Sequence, residues 1–235
     1  MYHDIADDIT KAINDGTFTK KLPTEVQLMA RYNVSRNTIR KAIDLVYQKG
    51  LLRRVQGSGY FVNDISLTHK TVINLSVGAG QPLHSEDSQL VSKVVTFDKI
   101  KADAAMAKRV GIATDSELYR VIRLRYLNGI PYCLEHAHYL RSEVPFLSAD
   151  SVRHSIFSFL RENYGISANN SEDYISLEKL AADQADLLKL PTETPVLTMS
   201  QMNFYGNNIL FNFSTTHYVY PGLNFYFHSA NLTSN

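Results

Sequence analysis

The sequence predicts an α+β protein in two parts: a small helical head closed by a β-hairpin, then a larger antiparallel sheet with flanking helices. Three observations carry this. Within Leu22–Val62, two helical patterns meet at a tight turn and lead into two β runs around a glycine-rich tip. Beyond residue 71, strand-like runs alternate with turn signals and only a few helical stretches, which suits an antiparallel sheet. Charge divides at the same place. Met1–Val62 holds ten Lys/Arg against six Asp/Glu, a balance of +4, and the remainder holds 14 against 17, or −3.

The 235 residues accommodate a head over 1–62, a polar linker over 63–71 (NDISLTHKT) and a body over 72–235, each part large enough for its own core. A basic head on a mildly acidic body suits a polyanion as the head's partner. The single cysteine, Cys133, excludes an internal disulfide framework and fits a reducing cytoplasm. It stands in an apolar strand-like run and reads as packing. The N-terminus, MYHDIADDITK, carries no apolar signal segment, and no run approaches the ~20 apolar residues of a membrane span.

In the head, Ile5, Ile9, Ala12 and Ile13 share one face of a first helix, which Gly16 ends. Thr24 and Gln27 fit a capping box at the start of a second helix, whose buried side is Leu28, Met29 and Tyr32. Asn33-Val34 makes the turn and Ser35 caps the third helix. There Ile39, Ala42, Ile43 and Val46 face the core, and Gly50 ends the helix in a left-handed conformation. The opposite face presents Arg36, Asn37, Arg40 and Lys41. In a helix-turn-helix that end enters the major groove of double-stranded DNA, where Arg reads guanine and Asn reads adenine. Thr38 and the helix amides suit a phosphate. A solvated basic face is the alternative for this helix alone. The hairpin that follows favours the DNA reading: Leu51–Val55 and Tyr60–Val62 flank Gln56-Gly57-Ser58-Gly59, and Arg53 and Arg54 add charge at its base. The combination is a winged helix-turn-helix.

In the body, candidate strands are 72–77, 91–98, 118–127, 132–140, 173–180, 196–205, 209–218 and 225–228, and candidate helices are 102–110, 156–164 and 181–188. Asn128-Gly129 and Gly206-Asn207-Asn208 mark hairpin turns. Alternation places Val121, Arg123, Arg125 and Leu127 on one sheet face. Two arginines between apolar neighbours need an anion, either a protein carboxylate or a ligand. Glu135 falls near Arg125 if the hairpin loop has three residues, so a structural Arg–Glu pair stays open beside a ligand site. Ser155 and Phe157 stand at the start of a helix, where a hydroxyl and amides can meet an anion. On the last long hairpin Asn212, Ser214 and Thr216 share a face, as do Phe211, Phe213 and Thr215, and Tyr218 follows.

The spacing LPTE…VSRNTIR…GLLRRVQGSGYFV resembles the DNA-binding domain of the GntR superfamily of bacterial regulators. That resemblance implies operator contacts from Ser35, Arg36, Asn37, Arg40, Gln56 and Gly57, within a DNA-facing set that also takes in Thr24, Glu25, Thr38, Lys41, Arg54 and Gly59. Two departures stand out: Val26 where a basic residue often follows the Glu, and no Pro-Gly ahead of the motif. Arg123-x-Arg125, NGIPYCLEHAHY, the S-x-F helix start and LFNFSTTHY resemble the UTRA effector domain of HutC-type members, which has a chorismate-lyase-like fold. This implies that Arg123, Arg125 and Ser155 hold an effector's phosphate and that Glu135 and Tyr218 contact the sugar. Phe157, Asn212 and the VGAG stretch with Val77 and Gly78 stand where those members often offer Tyr, Glu and Ser or Thr.

The expected protein is therefore a dimeric transcription regulator, a repressor of sugar uptake or catabolism genes, modulated by a small anionic effector such as a sugar phosphate. Enzymatic activity of the lyase-like body and ligand-independent DNA binding are the alternatives. No nucleophile–base set appears, so no catalytic residue, cofactor or metal is assigned. His136-x-His138 puts two imidazoles on one strand face without an evident third ligand.

Overall fold

The structure, a computed structural model, describes residues 1–63, 71–75, 82–83 and 89–228. The predicted linker, save its ends, and Val77 and Gly78 lie outside the described residues. The chain forms two compact units: Met1–Ser85 together with Gly222–Asn235, and Glu86–Pro221. The division falls later than the 63–71 segment, and the C-terminal residues join the first unit.

In the first unit, α1 (Tyr2–Asn14), α2 (Glu25–Tyr32) and α3 (Arg36–Gln48) are followed by the hairpin β1 (Leu52–Val55) and β2 (Gly59–Val62). The capping box at α2 is present: Gln27 N donates to Thr24 Oγ1 at 3.3 Å and Thr24 N to Gln27 Oε1 at 2.9 Å. Ser35 Oγ accepts from Thr38 N at 3.4 Å. Asn33 takes the left-handed conformation that turns α2 into α3. The predicted stripes close on one another: Ile5, Ile9 and Ala12 of α1, Leu28 of α2, and Ile39, Ala42, Ile43 and Val46 of α3 are buried in one cluster with Leu51 and Leu52. Each large side chain so buried contributes roughly 1.5–3 kcal/mol.

A second, three-stranded sheet completes this unit. The strand β3 (Val72–Asn74) pairs antiparallel with β4 (Pro82–Leu83) and parallel with β11 (Asn224–Tyr226). It closes the C-terminal end of α3. Asn74 Nδ2 donates to Lys49 O at 2.9 Å, and the Gly50 carbonyl accepts from Asn63 Nδ2 at 2.8 Å and from the Tyr226 hydroxyl at 3.2 Å. Three side chains from distant sequence positions thus take carbonyls that the helix end leaves without a helical partner. Gly50 has φ +71°, and a Cβ there would stand 2.7 Å from His228 Cβ. Gly50→Ala is therefore expected to destabilise this unit by about 1–3 kcal/mol, from left-handed strain plus the clash. A lowered thermal midpoint checks it, and an unchanged midpoint would contradict this packing.

The second unit is a six-stranded antiparallel sheet in the order β5 (Leu90–Lys101), β6 (Glu117–Leu127), β7 (Ile130–Leu140), β10 (Ile209–Tyr218), β9 (Pro195–Tyr205), β8 (Asn170–Lys179). One face carries Tyr119, Val121, Ala137 and Tyr139 beneath the 3-10 turn Ser151–Arg153 and α5 (Ile156–Tyr164). The other carries Leu118 and Phe213 against α4 (Ala104–Val110), and Leu124, Leu134 and Val196 against α6 (Ala182–Leu188). A register shift between Leu210 and Asn212 separates the phenylalanines that strict alternation put together. Phe211 packs with Tyr119 and Tyr139, whereas Phe213 packs with Leu118 and Ala107. The extra residue of a bulge moves its side chain to the other face.

Three imidazoles lie on the face opposite Arg123. His138 is buried and stacks on Phe213 with ring centroids 4.9 Å apart. His217 Nδ1 shares a hydrogen bond with Thr198 Oγ1 at 3.0 Å, and its Nε2 one with Gln184 Nε2 at 3.1 Å. The rings of His136 and His217 meet edge-on at 6.1 Å. No group of three or more potential metal ligands occurs among the described residues. Burial, then the nearby Arg109, pushes His138 down to about 4; burial first also lowers His136 and His217. A histidine whose native pKa is depressed resists protonation only when folded. Its contribution is full above the unfolded value near 6.5 and is lost as pH falls from there toward 4. For His138 this amounts to about 3 kcal/mol. Thermal midpoints are thus expected to fall between pH 6.5 and 4, and His138→Asn should flatten that dependence.

Candidate functional site

The head presents its polar groups on one side. Ser35, Arg36, Asn37, Arg40 and Lys41 are exposed, and Thr38 is half-buried. Glu25, at the start of α2, organises the arginines. Arg40 Nε donates to Glu25 Oε1 at 3.0 Å and Oε2 at 3.2 Å, and Arg36 Nε stands 3.6 Å from Oε2. Both arginines keep 58% of their side-chain surface. A carboxylate at their base leaves the guanidinium forks outward and limits their rotamers. Glu25, predicted among the DNA-facing residues, is thus placed to orient Arg36 and Arg40. Thr24 is exposed beside it as the helix cap. Lys41 lies over the Tyr2 ring at 5.8 Å, turned toward α1.

On the wing, Leu52–Val55 pairs with Gly59–Val62, and Gln56-Gly57-Ser58 forms the tip. Gly57 at φ +73° and Gly59 at φ +105° hold conformations that favour glycine. Arg54 stacks over Tyr60 at 6.0 Å and Arg53 over Phe61 at 5.6 Å. Lys21, which the sequence patterns did not single out, sits over the other strand's Phe61 at 5.3 Å because residue 21 bridges to it. Its only sequence signal is a cation just ahead of the capping motif.

In the second unit the arginines divide their labour. Arg123 is 5% exposed. Its Nε and Nη2 donate to Glu135 Oε2 at 2.9 and 2.7 Å, and its Nη1 donates to Val152 O at 3.2 Å and His154 O at 2.9 Å. Burial opposes the charge on Glu135, but Arg123 and then Arg125 hold its carboxyl below the ordinary range. Arg123 is therefore committed to Glu135 and to the segment that leads into Ser155. Glu135 lies near Arg125, as expected, and its hydrogen-bonded partner is Arg123. The Asn128-Gly129 turn has two residues, and the bulge between Arg125 and Tyr126 supplies the one-residue shift that sets Glu135 opposite Arg123; without it Glu135 would stand opposite Ile122 on the other face.

Arg125 lies on the same face, opposite Cys133 on β7 and Ser92 on β5. Its Nε is buried and has no hydrogen-bond partner among the described residues. Ser155 caps α5, its Oγ accepting from Ser158 N at 3.3 Å. The other predicted positions are occupied with packing. Phe157 meets Phe211 edge-on at 5.5 Å. Asn212 is buried, accepting from Asn203 Nδ2 at 2.8 Å and donating to His138 O at 2.9 Å, so its amide serves the sheet. Tyr218 is buried edge-on to Tyr132, and burial raises its hydroxyl far above the usual range. Thr216, directly opposite Glu135, joins this face as alternation along β10 implied. Ser92 was not legible, because the irregularity between Val94 and Thr96 shifts the register of β5. Cys133 is fully packed, and burial pushes its thiol up to about 12, which leaves it inert at neutral pH.

A winged helix-turn-helix followed by a sheet with a buried arginine cluster defines a two-domain transcription regulator. Residues 1–62 match the model of bacterial regulatory proteins of the gntR family, and residues 85–220 match the UTRA domain. The chain belongs to the GntR family, with a UTRA domain after its helix-turn-helix. It is 33% identical over 93% of both chains to the uncharacterized HTH-type transcriptional regulator YydK of Bacillus subtilis. The crystal structure of that possible regulator superposes with a TM-score of 0.84 at 30% identity, over 96% of this chain and 99% of that one. The probable transcriptional regulator PhnF of Escherichia coli is 30% identical over 77% of this chain and 75% of its own. The mannosyl-D-glycerate transport/metabolism system repressor MngR of Escherichia coli is 25% identical over 91% and 89%. No helix among the described residues is long and apolar enough to cross a membrane.

Proposed function

We propose that this regulator is a cytoplasmic, dimeric repressor of genes for uptake or catabolism of a sugar derivative, and that a small anionic effector such as a sugar phosphate modulates its hold on operator DNA. It acts by binding and not by turnover, and needs no cofactor. Its DNA contacts are Arg36, Asn37 and Arg40 at base edges, with Ser35, Thr38, Thr24, Arg54, Gln56, Gly57 and Gly59 at phosphates or groove walls and Lys41 in support. The sugar assignment is supported by relatives such as the mannosyl-D-glycerate repressor. The anion assignment rests on one observation: Arg125 keeps a buried Nε with no hydrogen-bond partner among the described residues, beside a fully committed Arg123–Glu135 pair. An unmet buried donor costs about 1–3 kcal/mol, which an effector's phosphate or carboxylate oxygen removes on binding. Ser155, Thr216 and Tyr218 line the approach, while Phe157 and Asn212 shape the walls.

Calorimetry with a panel of sugar phosphates tests this. Arg125→Ala should weaken the effector that binds wild type by about 10–100-fold, the worth of a charge-assisted bond, while leaving operator affinity without effector unchanged. Equal affinity for wild type and Arg125→Ala would reject the site.

A further inference from the structure

The wing has two faces of different chemistry. On the inner face Leu52, Tyr60 and Val62 pack against the core of the helices, and Leu22 is buried with them. The outer face carries Lys21, Phe61 and Arg53 in one row. Phe61 stands directly opposite Arg53 across the hairpin, and Lys21 bridges to Phe61 from the other side. Leu22 N donates to Tyr60 O at 2.9 Å and Val62 N to Lys20 O at 3.0 Å, which lays residues 20–22 along β2. Both cations fold onto the one ring, Lys21 Nζ 5.3 Å and Arg53 Cζ 5.6 Å from its centroid. Lys21 leans toward the tip, its Cε 3.7 Å from where Gly59 would carry a Cβ. Both side chains are exposed, and neither pairs with a carboxylate among the described residues. Other cations of the head are neutralised where they stand: Arg31 by Asp8, Arg36 and Arg40 by Glu25, Lys49 by Asp7. Two of the charges behind the head's positive balance therefore lie side by side on an exposed sheet face.

We infer that this row is a sequence-independent clamp on the DNA backbone, gripping the duplex that flanks the bases α3 reads. Two like charges drawn onto one ring with no carboxylate between them repel, and a phosphate that bridges them removes that cost. Across neighbouring strands, which lie about 4.8 Å apart, the row runs cation, apolar ring, cation. A DNA strand alternates phosphate and deoxyribose in the same way, charged and apolar in turn. The ring's face holds each cation in place and leaves its N–H donors open to phosphate oxygens. With α3 in the major groove, the inner face of the wing is turned toward α3 and the outer face away from it, along the flanking duplex. Contacts of this kind add affinity and fix register but carry no sequence information. The clamp rests on the head being the DNA-binding part, and it extends the contact surface beyond the residues assigned above by one lysine and one arginine.

Fluorescence anisotropy of the full chain on operator and scrambled duplexes, over roughly 50–200 mM salt, tests it. Lys21→Gln and Arg53→Gln should each reduce the slope of log affinity against log salt by about 1, and together by about 2, for the counterions that each lost phosphate contact no longer releases. Affinity should fall by the same factor on both duplexes, so the preference for operator stays that of wild type. Lys21→Arg keeps the charge and should keep the slope. Lys11→Gln makes the same change of charge on α1 and should also keep it. When the operator duplex is cut back to the bases that α3 reaches, the difference in slope between wild type and the double variant should vanish. A double variant with wild-type slope and affinity would overturn the clamp and leave α3 standing as the reader. Loss of operator preference along with the slope would overturn it as well, since the row would then be reading bases. An equal fall for Lys11→Gln would assign the effect to total charge and overturn it, and a difference that persists on the shortened duplex would overturn its place on the flank. Wild type that prefers neither duplex would instead overturn the DNA reading itself.

Discussion

Arg36→Ala combined with Arg40→Ala is expected to weaken operator binding by about 100-fold or more and to erase most of its preference over unrelated DNA. Each arginine able to grip a guanine edge is worth roughly 1–3 kcal/mol of discrimination, and every 1.4 kcal/mol is tenfold. The two effects should not add. Both guanidinium groups rest on the Glu25 carboxylate, so removing one frees the other to reorient. Glu25→Gln provides the companion test. It keeps the side chain's length while removing the charge, and should cost specificity more than non-specific affinity. Fluorescence anisotropy on operator and scrambled duplexes at fixed salt separates the two, because phosphate contacts carry the salt dependence. Sequence-specific binding that survives the double variant would remove α3 from the role of reader.

Arg123→Ala is expected to destabilise the second unit by about 3–5 kcal/mol, the cost of leaving Glu135 buried without its partner. For a protein of this size that is a melting midpoint lower by roughly 10 °C. The substitution also releases the Val152 and His154 carbonyls, so the loop before Ser155 should loosen with it. Glu135→Ala should cost a similar amount for the converse reason. Arg123→Met with Glu135→Leu should recover much of the loss, since an apolar pair leaves no buried charge. Differential scanning calorimetry reads all four proteins. A marginal change for Arg123→Ala would mean that the pair is not the organising contact of this face. Loss of effector response in that variant should accompany loss of stability, whereas Arg125→Ala should lose response alone.

The head was legible almost to the residue, because its determinants are local. Capping at Thr24 and Ser35, the left-handed Asn33 and Gly50, and a stripe repeating at helical spacing are each set by a few neighbours. The strands of the body were legible for the same reason. What the sequence concealed were register and distant pairing. One bulge beside Arg125 brought Glu135 onto the arginine face opposite Arg123, and another at Phe211 sent Phe211 and Phe213 to opposite faces. No local pattern records where a bulge falls. The parallel pairing of β11 with β3 joins residues some 150 positions apart, so the bonds that Asn74 and Tyr226 make to the end of α3 could not be foreseen. In the candidate site, residue types were informative but occupancy was not. Arg123, Phe157 and Asn212 are spent on the fold, and Arg125 is left with a buried donor to satisfy.

In the proposed function, one chain couples operator DNA to an anionic metabolite. Anisotropy of wild type and Arg125→Ala on the duplex upstream of its own gene, titrated with the sugar phosphate that calorimetry selects, tests it most directly. The expected result is equal binding of both proteins without effector and a shift of wild-type affinity of about 5–150-fold with it, the usual range of allosteric coupling, with no shift for Arg125→Ala. Wild-type affinity that no bound metabolite changes, or an equal shift in both proteins, would contradict it.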